Sequence, residues 1–209
     1  MTRAPAAREL AADRVVHVVG IGLGVAGAIA LVLVAAIEGG ALVPIVIYVA
    51  GLLATLGCSA AYNVFHASGR REWLRRFDHA AIFAMIAGSY TPFTTRLGSG
   101  WASSLTAVIW TVATLGIVLK LWQPRRIEAI SVVLYLALGW IGLTAVEPFL
   151  AALDASTLVL LALGGIIYTA GVIFHLWHRL PYQNAIWHGF VLVAASVQYA
   201  AVLGLVFDA

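Results

Sequence analysis

Seven apolar runs follow one another along this 209-residue chain, each long enough, or nearly so, to cross about 30 Å of hydrocarbon as a helix. They are Val15 to Ile37, Leu42 to Phe65, His79 to Thr95, Trp101 to Leu119, Ala129 to Val146, Ser156 to Trp177 and Ala185 to Phe207. Inside lipid every backbone polar group must be paired within its own segment. The runs are therefore predicted to be helices of an all-α, polytopic, seven-helix bundle. Residues 1–14 read as a short cytoplasmic tail and residues 15–207 as one membrane domain. The third run is short and contains Pro92; Ser89 and Thr91 are expected to re-satisfy the backbone groups that the proline disturbs.

Charge agrees with this class. A soluble domain carries about 25% charged residues, whereas this chain has 10% and a mean hydropathy of +1.00. The single cysteine, Cys58, excludes an internal disulfide and any multi-cysteine metal site. The N-terminus carries acids and has no small-residue cleavage site after an apolar core, so no removable signal peptide is expected. The basic isoelectric point, about 9.3, does not point to nucleic acid. The basic residues lie in short loops between the runs, where they set membrane orientation.

With seven spans, the N-terminal tail shares a side with the loops after spans two, four and six. That side holds Arg3, Arg8, Arg14, Arg70, Arg71, Arg75, Arg76, Lys120, Arg125, Arg126 and Arg179, leaving only Arg96 of the 12 Lys and Arg for the other. The expected arrangement is thus a multi-pass protein of the cell (inner) membrane, N-terminus in the cytoplasm and C-terminus outside.

Polar residues within the runs mark the candidate site, because each is costly in hydrocarbon. Ser59, Tyr62, Asn63 and His66 share one helical stripe at the cytoplasmic end of span two. Asp78 and His79 open span three from the same side, and Asn184 and His188 lie four apart in the first turns of span seven. His175 and His17 sit near the cytoplasmic ends of spans six and one. Topology gathers these groups into one layer, about 5 to 10 Å below the inner interface.

Each has a plainer reading. Asp78 suits an N-cap, Ser59 can bond back to the carbonyl one turn earlier, and asparagines can join helices as hydrogen-bonding glue. His66 and His178 sit at span ends beside arginines, as interfacial residues do. Trp73, Trp101, Trp122 and Trp177 fit an aromatic belt, and Gly20, Gly24 and Gly27 a close helix contact.

Three segments resemble the hemolysin III family, the bacterial branch of the progestin and adipoQ receptor group. DHAAIFAMIAGSYTPF, from Asp78 to Phe93, is similar to that family's third-helix signature. LPYQNAIWHGFVLVAASVQY, from Leu180 to Tyr199, resembles its seventh-helix segment, and SAAYN takes the place of a serine-x-x-x-histidine motif. The resemblance implies a seven-helix bundle with a zinc near the cytoplasmic face, held by three histidines. Serine and aspartate, here Ser59 and Asp78, would support a bound water. Relatives in the wider group include lipid amide hydrolases.

The chain departs from that pattern at its ligands. Asn63 and Asn184 stand where two of the three histidines belong, Gln198 replaces a further one, and His188 alone matches. A neutral amide oxygen is a poor zinc ligand, so His66 or His79 would have to substitute. Two functions follow. One is zinc-assisted hydrolysis of a lipid amide or ester, with His188 on the metal and Asp78 and Ser59 assisting. The other is a metal-free cluster of Asn63, Asn184, Asp78 and His188 that recognises a lipid headgroup in membrane homeostasis or sensing. Membrane lipids are the expected partners of either. An ion pathway fits less well, because the outer halves offer little beyond Tyr168, Gln198 and Glu147.

Overall fold

The computed structural model describes residues 6–65, 69–123 and 128–207, and these form helices joined by short turns, with no strand among them. The helices are α1 (Ala7–Ile37), α2 (Leu42–Val64), α3 (Arg71–Thr94), α4 (Ser99–Trp122), α5 (Glu128–Gly139), α6 (Val146–Ala152), α7 (Ala155–Leu176) and α8 (Gln183–Phe207), with a 3-10 turn, Ile141–Ala145, between α5 and α6. Six segments are long and apolar enough to cross a membrane: α1, α2, α4, Ile130–Ala152, α7 and α8. Together they make this a polytopic helical membrane protein.

The expected seventh, His79 to Thr95, lies in α3 and does not join them by composition. Its first two turns, REWLRRFD, are charged. Its second half is nevertheless the most enclosed stretch of the chain, with Ala80, Ala81, Phe83, Met85 and every residue from Ala87 to Thr94 except Tyr90 buried. Its packing explains this: α3 lies between α2 and α4 and also meets α5 and α8. A helix surrounded by protein need not be apolar along its whole length. At Gly51 a Cβ would sit 3.0 Å from the Ala84 carbonyl oxygen, and at Gly88 3.1 Å from that of Ile47. The two glycines therefore let α2 and α3 approach backbone to backbone.

The fifth apolar run is broken. α5 stops at Gly139 and the chain resumes as the 3-10 turn and α6. A break at membrane depth needs partners for its freed backbone groups. Tyr90 of α3 supplies them: its hydroxyl donates to the Gly139 carbonyl (2.5 Å) and accepts from the Gly142 amide (3.1 Å). Near Pro92 the Thr91 hydroxyl bonds the Ala87 carbonyl at 2.8 Å. The buried Ser89 hydroxyl has no partner among the described residues, so it does not take the role expected of it there.

α1 packs on α2 and α8, and α7 on α8. The first turns of α1, α3 and α8 and the last turns of α2 thereby come to one end of the bundle, and the polar residues meet there.

Candidate functional site

α1 begins at Ala7, eight residues before the apolar run does. The extra turns carry Glu9 and Asp13, which with His17 fall at spacings of four along one face. Asp13 and His17 are buried, at 5% and 7% exposure; Asp13 faces α8, and His17 faces both α8 and α2. The Glu9 carboxylate accepts from the Tyr182 amide at 3.2 Å and so ties α1 to the turn that leads into α8.

His188 comes from the second turn of α8. Its Nδ1 lies 2.6 Å from Asp13 Oδ1, and the His17 Nδ1 lies 2.8 Å from the Asp13 carbonyl oxygen. Both partners are acceptors, so in the neutral imidazoles both Nδ1 atoms carry the proton and both Nε2 atoms keep a lone pair. Those two lone pairs converge on one hydroxyl: Ser59 Oγ stands 3.2 Å from His17 Nε2 and 3.5 Å from His188 Nε2. The two rings meet edge to face, with centroids 4.4 Å apart. The half-buried Asp78 of α3 completes the group, its carboxyl within electrostatic reach of Ser59, His188 and Asp13.

The arrangement holds more electron pairs than protons. Asp13 takes the Nδ1 hydrogens, which leaves two imidazole lone pairs and the Asp78 carboxyl to share one hydroxyl hydrogen, and the whole is largely closed from water. Such a donor set favours a cation. Asp13, His17 and His188 each offer a ligand atom, and these atoms lie within 4.8 Å of one another. Two histidines and a carboxylate are a set that hydrolytic zinc sites use. The Nδ1–H bonds to Asp13 are of the kind that orient metal-ligating histidines. The residues present therefore fit a divalent metal.

A family model described as "Haemolysin-III related" matches residues 11–199. The chain belongs to the hemolysin III family. It is 34% identical over 200 residues to "Hemolysin-3 homolog" of Bacillus subtilis (strain 168), covering 94% of this chain and 93% of the relative. It is also 34% identical to "Hemolysin-3" of Bacillus cereus over 201 residues, 94% of this chain and 91% of the relative. "Monocyte to macrophage differentiation factor" of Homo sapiens is 30% identical over 165 residues, covering 75% of this chain and 67% of that protein.

The structure brings Ser59, Asp78 and His188 together. His17, also noted in the sequence, joins them; Asn63, Asn184, His79 and His175 lie elsewhere. Asn63 turns its amide back onto the Ser59 carbonyl, 2.9 Å away, and Asn184 is exposed on the first turn of α8. His79 faces away from its neighbour Asp78, with Nδ1 3.5 Å from Nζ of the buried Lys120 of α4. The His175 ring meets that of Trp187 at a tilt, with centroids 4.9 Å apart. His66 lies outside the described residues. In place of the asparagines, α1 supplies Asp13 and His17. Sequence reasoning weighed His17 but left Asp13 in the cytoplasmic tail. The signal that would have found it is the regular spacing of Glu9, Asp13 and His17, read as a helix that starts before the apolar run.

Proposed function

We propose that this hemolysin III family member is a metal-dependent hydrolase of an acyl bond, amide or ester, in a membrane lipid. The proposal includes seven spans, with α3 as the third, in the cell (inner) membrane, and the N-terminus in the cytoplasm. The convergence of two imidazole lone pairs on Ser59, with Asp78 beside it and Asp13 behind the rings, carries this reading. His17 and His188 would hold the ion through Nε2 while Asp13 orients both rings from the Nδ1 side; zinc is a metal that suits such nitrogen donors at four-coordinate sites.

Bound there, zinc would polarise the substrate carbonyl and lower the pKa of water toward about 7. Asp13 fixes both imidazoles through their Nδ1 protons. Ser59 donates its hydroxyl hydrogen to the carbonyl oxygen of the substrate. Asp78 accepts a proton from the attacking water as the water oxygen bonds to the carbonyl carbon. It then returns that proton to the amine or alkoxide as the C–N or C–O bond breaks, so that one water is consumed and an acid and an amine or alcohol leave. The burial of the cluster keeps competing water out.

The test is metal content and turnover in the purified full chain. About one zinc per chain and slow release of fatty acid from an amide or ester lipid are expected, both lost in His188→Ala. A second reading has its own observation: the 2.6 Å bond between His188 and Asp13 lets the cluster hold together without a metal, as a lipid-sensing protein would require. Metal-free protein whose stability is indifferent to chelator would favour it. Tags read from either side of the membrane test orientation, and a cytoplasmic C-terminus would overturn the seven-span count.

A further inference from the structure

The cytoplasmic rim above the cluster holds four arginines in one short stretch, and they are not alike. Arg75 pairs with Glu72 at 3.0 Å, and Arg76 lies 3.8 Å from the same carboxylate while donating to the Leu121 carbonyl at 3.0 Å. Arg70 is also engaged. Arg71 meets no carboxylate among the described residues. Its guanidinium lies over the ring of Tyr62, 5.4 Å from the centroid, with one nitrogen 3.5 Å from the Tyr62 hydroxyl.

Position gives this pair its meaning. Tyr62 is three residues beyond Ser59 on α2, and Arg71 is seven before Asp78 on α3. At about 1.5 Å per residue the two sit about 5 and 10 Å nearer the cytoplasm than the residues proposed to act on the carbonyl, and on the same helix faces. In a phosphate-bearing acyl lipid about five bonds separate the acyl carbonyl from phosphorus, roughly 6 Å when extended. The long arginine side chain spans the remainder. With one nitrogen on the Tyr62 hydroxyl, the other N–H groups of the guanidinium stay available, and two of them match two phosphate oxygens.

We propose that Arg71, braced by Tyr62, receives the phosphate of the substrate lipid and makes phosphate-bearing acyl lipids the preferred class. This rests on the hydrolase reading for the word substrate, but the binding site itself does not. The experiment uses full-length protein in neutral detergent and measures retention of phosphatidylglycerol against diacylglycerol by native mass spectrometry, with hydrolysis of both followed in parallel. Wild type is expected to prefer phosphatidylglycerol by about tenfold or more, the scale of charge-assisted phosphate contacts. Arg71→Ala and Arg71→Gln should lose that preference with metal content unchanged, and Arg71→Lys, a point charge without the fork, should keep part of it.

Competition by inorganic phosphate would identify recognition of the free anion. Its failure to compete would identify the lipid headgroup. Binding preference that depends on Arg71 without any hydrolysis would remove the hydrolase reading and leave the phosphate site standing. An unchanged preference in both Arg71→Ala and Arg71→Gln would reduce Arg71 to a topology signal and overturn the inference.

Discussion

α1 and α3 use polar residues in opposite ways. α1 is apolar nearly all round, and its exposed Val15, Val18, Val19, Ile21, Leu23, Ile29 and Leu33 suit contact with lipid. Its buried stripe instead starts with Asp13 and His17 and continues through Gly20, Gly24 and Ala28 to Leu31 and Ala35. α3 begins with charged turns, yet from Ala80 onward it is the most enclosed helix. Hydropathy reports what a helix shows to its solvent, not how deep it lies. A largely apolar helix supplies Asp13 and His17 to the polar cluster, and the least apolar one sits at the centre of the packing.

If α1 and α8 bind the ion while α3 only places the base, then Asp78→Asn should lower lipid hydrolysis by about 10²- to 10⁴-fold and leave zinc content intact. Loss of zinc in that variant would make Asp78 a ligand and blur the contrast. Asp13→Asn has the converse signature. Zinc affinity should fall about 10- to 100-fold, as when a carboxylate that orients ligating histidines is removed, and excess zinc should restore turnover. Competitive metal titration would read this, and an unchanged affinity would take α1 out of the site.

Packing provides a third contrast. Gly51→Leu would drive a side chain into the α3 backbone at Ala84 and should cost about 1–3 kcal/mol. Gly22→Leu, on the open face of α1 where a Cβ meets nothing within 4 Å, should be near neutral. Thermal unfolding in detergent compares the two.

The smallest effect is expected outside the bundle, at Asp154, which caps α7. The side chain of Ser156, then that of Thr157, hold its carboxyl at about 2, below the ordinary 3.8, and their backbone amides also donate to it. A carboxyl depressed on folding stabilises the fold above its unfolded value and loses that contribution as pH falls through the folded one. Wild type should thus exceed Asp154→Asn slightly in melting temperature at neutral pH. The gap should close between about pH 4 and pH 2; a gap that persists in acid would rule out the linkage.

Much of the site was legible in the sequence. Ser59, Asp78 and His188 stand out because polar groups in apolar runs are costly, and the regular alternation of loops places them at one membrane face. Asn63 and Asn184 were drawn in by the same rule, but an amide can satisfy itself locally, as Asn63 does on the carbonyl one turn back. His79 adjoins Asp78 in sequence, yet neighbours on a helix point about 100° apart, and it faces Lys120 instead. Asp13 escaped because a hydropathy boundary marks where lipid contact starts, whereas the helix itself had already begun.

Composition and periodicity alone determined that this chain is a helical membrane protein, because a backbone in lipid has no other way to pair its polar groups. They determined which residues are expensive to bury, though not what those residues meet. Whether a given imidazole sees an aspartate, a lysine or an aromatic ring depends on which helices are neighbours and how each is rotated about its axis. Packing between helices sets those two quantities. Here the contact of α1 with both α2 and α8 brings Asp13 and His17 to Ser59 and His188.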